Sequence, residues 1–173
     1  MMLIMSILIF AGCDHNISNT TTSLSKDKKA LQVARKQMGD PYYLGERGPD
    51  VFDCSGLITY SYKKAYNREK IFNINSWITD DATMQDLYDW NVKLIPLSEI
   101  KPGDIIFMTR EKGEVTHGGL FIEWIDKYNT FNFLHASSLA GEVTIDSWFI
   151  DNMNRELRLV GAGRFQVSNN NNK

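Results

Sequence analysis

The chain has 173 residues, of which 43% are apolar and 23% charged, with a formal net charge of −2. That length fits one domain able to bury roughly 70% of the surface its unfolded chain exposes, and it lacks the basic stripe of a dedicated nucleic-acid binder. Two cysteines, Cys13 and Cys54, leave room for one bridge in an oxidising compartment but do not make a disulfide framework.

In chain order, Met1 to Phe10 form an apolar run that is about half the ~20 residues a membrane-spanning helix needs, which suits the core of a signal peptide. Asp14 to Ser23 is rich in Asn, Ser and Thr and reads as a polar tether, at most ~40 Å long and averaging ~20 Å as a coil. Ser25 is placed to cap a helix over Lys26 to Met38 that buries Ala30, Leu31, Ala34 and Met38 and stops at Gly39. Asp40-Pro41 forces a turn, and a loop containing Gly45, Gly48 and Pro49 leads to Asp53, the cap of a second helix from Cys54 to about Tyr66. Asn67 to Asp89 reads as a peripheral subdomain or a groove wall, with Thr79 capping a short helix over Asp80 to Asp89 and Trp77 among its apolar contacts.

Strand patterns follow: Val92 to Ile95, Ile105 to Met108, His117 to Trp124, Thr130 to Ala136, Glu142 to Ile145 and Arg155 to Phe165, with turns at Lys101 to Asp104 and Glu111 to Glu114. Helices first and antiparallel strands after predict an α+β domain. The terminal Ser168 to Lys173 is low-complexity and reads as a disordered tail.

The chemistry gathers on few residues. Cys54 stands on the first turn of the second helix, where the positive end of the helix dipole favours a thiolate and an adjacent imidazole brings a thiol from ~8.5 into the range ~3.5–7.5. His15 falls in the tether, whereas His117 falls at the start of one predicted strand and His135 near the end of its neighbour. A hairpin of those strands would set the two imidazoles side by side, and a helix-borne cysteine with two strand-borne histidines suits nucleophilic acyl chemistry. The same residues also fit blander roles: a buried small hydrophobe, bonded core histidines, or zinc ligands lacking a fourth partner.

The segments Gly39-Asp40-Pro41-Tyr42-Tyr43-Leu44-Gly45 and Phe52-Asp53-Cys54-Ser55-Gly56-Leu57 resemble the signature of the NlpC-type cysteine peptidases, bacterial cell-wall enzymes of the papain-like fold. Lys101-Pro102-Gly103-Asp104-Ile105-Ile106-Phe107, His117-Gly118-Gly119-Leu120-Phe121-Ile122 and Leu134-His135-Ala136-Ser137 are similar to its strand motifs, in the same order. The resemblance covers about residues 26 to 165. Glu46 stands where the family has a second glycine, and Gly118 where valine is common.

The resemblance implies a papain-like domain over residues 25–167, with N-terminal helices packed on an antiparallel sheet and the nucleophile at a helix N-terminus. It implies Cys54 as nucleophile, His117 as base and acid, and His135 as the group orienting His117, with no metal or cofactor. Tyr42, Asp53 and Ser55 become substrate-binding residues, Asp53 and Ser55 recognising a substrate amine. The implied substrate is a peptidoglycan stem peptide, cut between D-Glu and a diamino acid through a thioester. An amidase or acyltransferase on the same scaffold, or a lipoprotein that binds wall fragments without cutting them, are the alternatives.

Ala11-Gly12-Cys13 after the apolar run resembles the lipobox of bacterial lipoproteins, although no Lys or Arg precedes it. That resemblance implies a signal peptide over residues 1–12, lipid on Cys13, a tether over 13–24, and a domain anchored to the membrane on the periplasmic or extracellular face. In that arrangement Cys13 is an anchor and Cys54 stays a free thiol.

Overall fold

Ser25 starts the first helix by accepting the Lys28 backbone N–H, and α1 (Lys26–Arg35) buries Ala30, Leu31 and Ala34. The computed structural model describes residues 24–110, 113–126, 129–151 and 156–167. The expected signal peptide, Cys13, the tether up to residue 23 and the tail over 168–173 lie outside the described residues, as do residues 111–112 of the expected hairpin turn. Helix α1 ends three residues before Met38, which is exposed rather than core. The cause is Gly39, whose left-handed backbone (φ 87°) turns the chain so that its N–H reaches the Val143 carbonyl.

Asp53 caps α2 (Cys54–Tyr66) by accepting the Gly56 N–H at 2.6 Å, and left-handed Asn67 ends it. This helix is buried along most of its length. Its Tyr62 is fully buried, and the hydroxyl donates to the Gly103 carbonyl at 2.8 Å across the core. Lys26 ties α1 to α2 by donating to the Ala65 carbonyl near the end of the longer helix.

The stretch after α2 corrects the sequence expectation. Phe72–Ile74 (β1) and Trp77–Thr79 (β2) form a two-stranded hairpin through Asn75 and Ser76, both at positive φ. Thr79 is therefore a strand residue opposite Phe72, and the helix cap is Thr83, four residues on. Thr83 and Asp86 form a reciprocal capping box for α3 (Met84–Trp90), satisfying two backbone donors where Thr79 would have satisfied one. Trp77 points to solvent at 77% exposure instead of packing. Buried Asn91 locks the hairpin to α3, accepting the Asn73 N–H and donating to the Asn73 and Asp86 carbonyls.

The remaining elements are β3 (Val92–Ile95), a 3₁₀ turn over Leu97–Glu99, β4 (Ile105–Thr109), β5 (His117–Trp124), β6 (Thr130–Ser137), β7 (Glu142–Phe149) and β8 (Arg158–Phe165). They pair antiparallel in the order β3-β8-β4-β5-β6-β7. Strand alternation sends Ile105, Phe107, Leu120, Leu134 and Ala136 toward the helices and Ile106, Met108, Phe121, Phe131 and Phe133 to the other face, where Trp148 joins them. Strand β7 runs four residues past the expected end at Ile145, because it pairs with β6 along its whole length. The architecture is α+β: helices on one face of an antiparallel sheet, with Cys54 at the N-terminus of the packed helix. Among the described residues, no helix is long and apolar enough to cross a membrane.

Candidate active site

Three pieces of chain meet where α2 begins. The Tyr42 to Gly45 loop is held to the chain before the cap by bonds between Phe52 and the Pro41 and Tyr43 backbones. The Asp53 carboxylate then organises the corner. One oxygen accepts from the Gly56 N–H and, at 2.9 Å, from the Ser55 hydroxyl. The other accepts the Gly45 N–H at 2.9 Å and a short bond from the Arg47 guanidinium. Arg47 is braced from behind by Asp81, both of whose oxygens lie 2.8 Å from its Nε. Burial alone would raise the Asp53 carboxyl, but the Gly56 N–H and the Arg47 charge outweigh it and hold the group below the usual carboxylate range. Asp53 and Ser55 are both buried and bonded to each other.

Cys54 is a free, buried cysteine whose Sγ lies 3.9 Å from the carbonyl oxygen of Thr116, the residue before His117. Burial and then the Asp53 charge push its thiol up to about 11, while the Ser55 and Cys54 backbone N–H groups and Arg47 pull the other way. Desolvation thus works against the thiolate that the helix terminus favours: the backbone donors are in place, but burial outweighs them. Tyr42 lies close enough for the Cys54 and Asp53 charges, after burial, to raise its phenol.

Strands β5 and β6 bring the two histidines together. His117 Nε2 and His135 Nδ1 are 2.7 Å apart, and His135 Nε2 is 3.0 Å from an Asp146 oxygen. Gly119 makes room for this, since a Cβ there would sit 2.8 Å from both His135 Cβ and the Phe133 ring. Burial, then His135 and Arg110, push His117 down to about 3. His135 is also lowered by burial, with the Asp146 carboxylate opposing. All of these shifts favour a neutral thiol beside neutral imidazoles in the free protein.

An open cleft of about 490 Å³ lies on the sheet face away from the helices, reaching from Phe133 and Trp148 to both imidazoles, with Arg110 and Glu156 on its rim. Cys54 is not among its walls, so the cleft meets the site at the histidines. Among the described residues, no group of three His, Cys, Asp or Glu side chains is arranged to hold a metal ion.

The structure therefore brings the Cys54 sulfur to the backbone of Thr116, one residue before His117, bonds His117 to His135, sets Tyr42 within electrostatic reach of the sulfur, and buries Asp53 and Ser55 on either side of Cys54. Cys13 lies outside the described residues. The sequence reading missed Asp146 and Arg47. Continued alternation through Thr144-Ile145-Asp146-Ser147-Trp148 would have carried β7 far enough to bring Asp146 opposite Phe133 and diagonal to His135.

A sequence model of the NlpC/P60 family matches residues 39–162. Among curated proteins, the chain is 31% identical over 114 residues to the bifunctional muramidase/DL-endopeptidase CwlT of Bacillus subtilis (strain 168), covering 64% of this chain and 31% of that protein. It is 30% identical over 147 residues to the murein DD-endopeptidase MepH of Escherichia coli (strain K12), covering 81% of this chain and 48% of that protein. The chain thus spans less than half the length of either relative. Among solved structures, NlpC1 of Trichomonas vaginalis superposes with a TM-score of 0.59 at 24% identity, over 86% of this chain and 47% of that one, a likeness of fold.

Proposed function

The chain belongs to the NlpC/P60 family, and from that membership and the geometry of the corner we propose that it is a cysteine peptidase acting on peptidoglycan stem peptides. The observation that carries the reading is a cysteine on the first turn of a helix, its sulfur 3.9 Å from the carbonyl oxygen just before His117, together with a bonded pair of imidazoles, His117 Nε2 to His135 Nδ1 at 2.7 Å.

The reaction starts from the neutral pair. The Cys54 sulfur attacks an amide carbonyl and its proton passes to the His117 nitrogen that His135 does not occupy. The carbonyl π-bond becomes an oxyanion facing the Cys54 and Ser55 backbone N–H groups, the donors already directed at the sulfur; one such donor contributes about 3 kcal/mol in comparable sites. Collapse breaks the C–N bond, and the leaving amine takes the proton from His117. Water then attacks the thioester, gives a proton to His117, and the sulfur leaves and recovers it. Starting from neutral partners suits a buried site, because charge appears only in the transition state, where the fixed dipoles meet it.

Tyr42 is the substrate-facing group of this corner. A substrate ammonium would reach the Asp53 carboxylate only by displacing Arg47, and Ser55 supports that carboxylate by donating its hydroxyl to it. The bond cut is that between D-Glu and the diamino acid. The two relatives are named for DL and DD cleavage respectively, so products decide between them. Lipid on Cys13 would hold the domain within ~20–40 Å of a membrane, on the periplasmic or extracellular face; metabolic labelling with a fatty acid, lost in Cys13→Ser, tests that.

Incubation with defined muropeptides and mass-spectrometric readout tests the function. Fragments ending at D-Glu, produced by the wild type and absent with Cys54→Ala, are expected. Undiminished cleavage by Cys54→Ala would refute the reading. A product lacking the whole stem peptide would mark an amidase, and transfer to an added amine an acyltransferase.

A further inference from the structure

We propose that Asp146 is a positioning residue that fixes the tautomer of the His117–His135 pair, so that the nitrogen of His117 facing the reaction is a free lone pair. The inference rests on the proposed roles of Cys54 and His117 and extends the site by one residue.

The logic follows from donors and acceptors. A carboxylate only accepts, so the 3.0 Å contact from Asp146 requires a proton on His135 Nε2. Burial keeps His135 neutral, so its Nδ1 carries a lone pair and accepts. The partner at 2.7 Å must then donate, which places the His117 proton on Nε2. Neutral His117 has one ring proton, and Nδ1 is left bare to receive the proton from sulfur.

Without the carboxylate, the pair has a second arrangement of similar energy. His135 can carry its proton on Nδ1 and donate to His117 Nε2, which moves the His117 proton to Nδ1 and blocks the base. Both arrangements contain one imidazole–imidazole bond, so that bond cannot choose between them. Asp146 can. Once His117 has taken the sulfur proton, the same chain of bonds leads from the imidazolium through His135 to the carboxylate, which opposes the new charge.

The fold holds Asp146 in place independently of the histidines. It sits within β7, paired opposite Phe133 while His135 pairs opposite Thr144, so its side chain shares a sheet face with His135 and its diagonal reach is set by strand register. It also lines the open cleft, and its side chain is 55% exposed. Water can therefore replace part of its role. Where a buried carboxylate holds the base of a serine-protease triad, the wrong tautomer costs about 10⁴-fold in kcat. For half-exposed Asp146, roughly 10–100-fold is expected.

The test compares Asp146→Glu, Asp146→Ala and Asp146→Asn, alongside Cys54→Ala, with a stem peptide as substrate. The glutamate keeps an acceptor and should retain most of the activity. The alanine should lose roughly 10–100-fold in kcat with KM little changed. The asparagine is the diagnostic variant: its amide can donate to His135 Nε2 and so stabilise the blocked tautomer, making it slower than alanine. A residue that merely supports the strand would give the opposite order, asparagine being nearer in shape to aspartate.

Nitrogen-15 spectra of the resting protein give a readout that needs no turnover. They should show the His135 proton on Nε2 in the wild type and on Nδ1 in Asp146→Asn. An asparagine variant faster than alanine, unchanged kcat in all three, or a wild-type His135 protonated on Nδ1 would overturn the proposal. If Cys54→Ala cleaves like the wild type while the spectra follow the expected pattern, the catalytic reading fails and the tautomer assignment survives.

Discussion

Replacing His117 with glutamine should make the folded protein less sensitive to acid, although it removes a buried polar partner. In the folded state burial, His135 and Arg110 push this imidazole from its ordinary 6.5 down to about 3. The unfolded chain therefore takes up a proton at a pH where the folded protein refuses it. Stability is present in full above the unfolded value and drains away as pH falls from 6.5 toward 3. At about pH 4.5, two units below the unfolded value, 1.36 kcal/mol per unit gives a loss of about 3 kcal/mol from this group. Urea unfolding of wild type and His117→Gln at about pH 7.5 and about pH 4.5 measures it. Between the two conditions the wild type should lose about 3 kcal/mol more than the variant, His135 being common to both. Equal losses would mean that folding does not shift the protonation of His117, and the lowering ascribed to burial, His135 and Arg110 would be wrong.

Arg47→Met strips the counter-ion from a carboxylate buried to 6% side-chain exposure and should cost about 3 kcal/mol in chemical unfolding, much of it recovered by adding Asp53→Asn; a loss under about 0.5 kcal/mol would show that the backbone donors alone hold Asp53. Cys54, pushed up to about 11, should be alkylated by iodoacetamide about tenfold faster per pH unit up to beyond about pH 9, followed on the Cys54 peptide. A plateau by about pH 7 would instead reveal a thiolate. Gly118→Val should destabilise by about 2 kcal/mol in thermal unfolding, because a Cβ at that position would overlap the Ile106 carbonyl oxygen and the Met84 methyl. An unchanged midpoint would mean that the β4–β5 pair yields at no cost.

The chain's fold was legible where local chemistry and tertiary demand agree. Asp53 caps α2 because its side chain reaches the Gly56 N–H in a purely local bond, and His117 and His135 meet because a hairpin needs only alternation and a turn. Thr79 misled because two threonines four residues apart both resemble caps. The choice fell to Thr83, which has Asp86 three residues on, while Thr79 was claimed by a hairpin through Asn75 and Ser76. Arg47 and Asp81 are far apart in sequence and meet only when the β1–β2 subdomain closes on the α2 corner, so no spacing announces them. The sense of the Cys54 shift was illegible for a related reason: a helix terminus is visible in sequence, whereas the desolvation that outweighs it is set by the whole domain.

Acid-quenched digestion with a stem-peptide substrate, followed by peptide mapping by mass spectrometry, tests the central assignment most directly. If Cys54 is the nucleophile, the peptide bearing it should carry the mass of the acyl fragment during turnover and lose it when substrate is exhausted. Turnover with that peptide unmodified, together with undiminished cleavage by Cys54→Ala, would contradict the assignment.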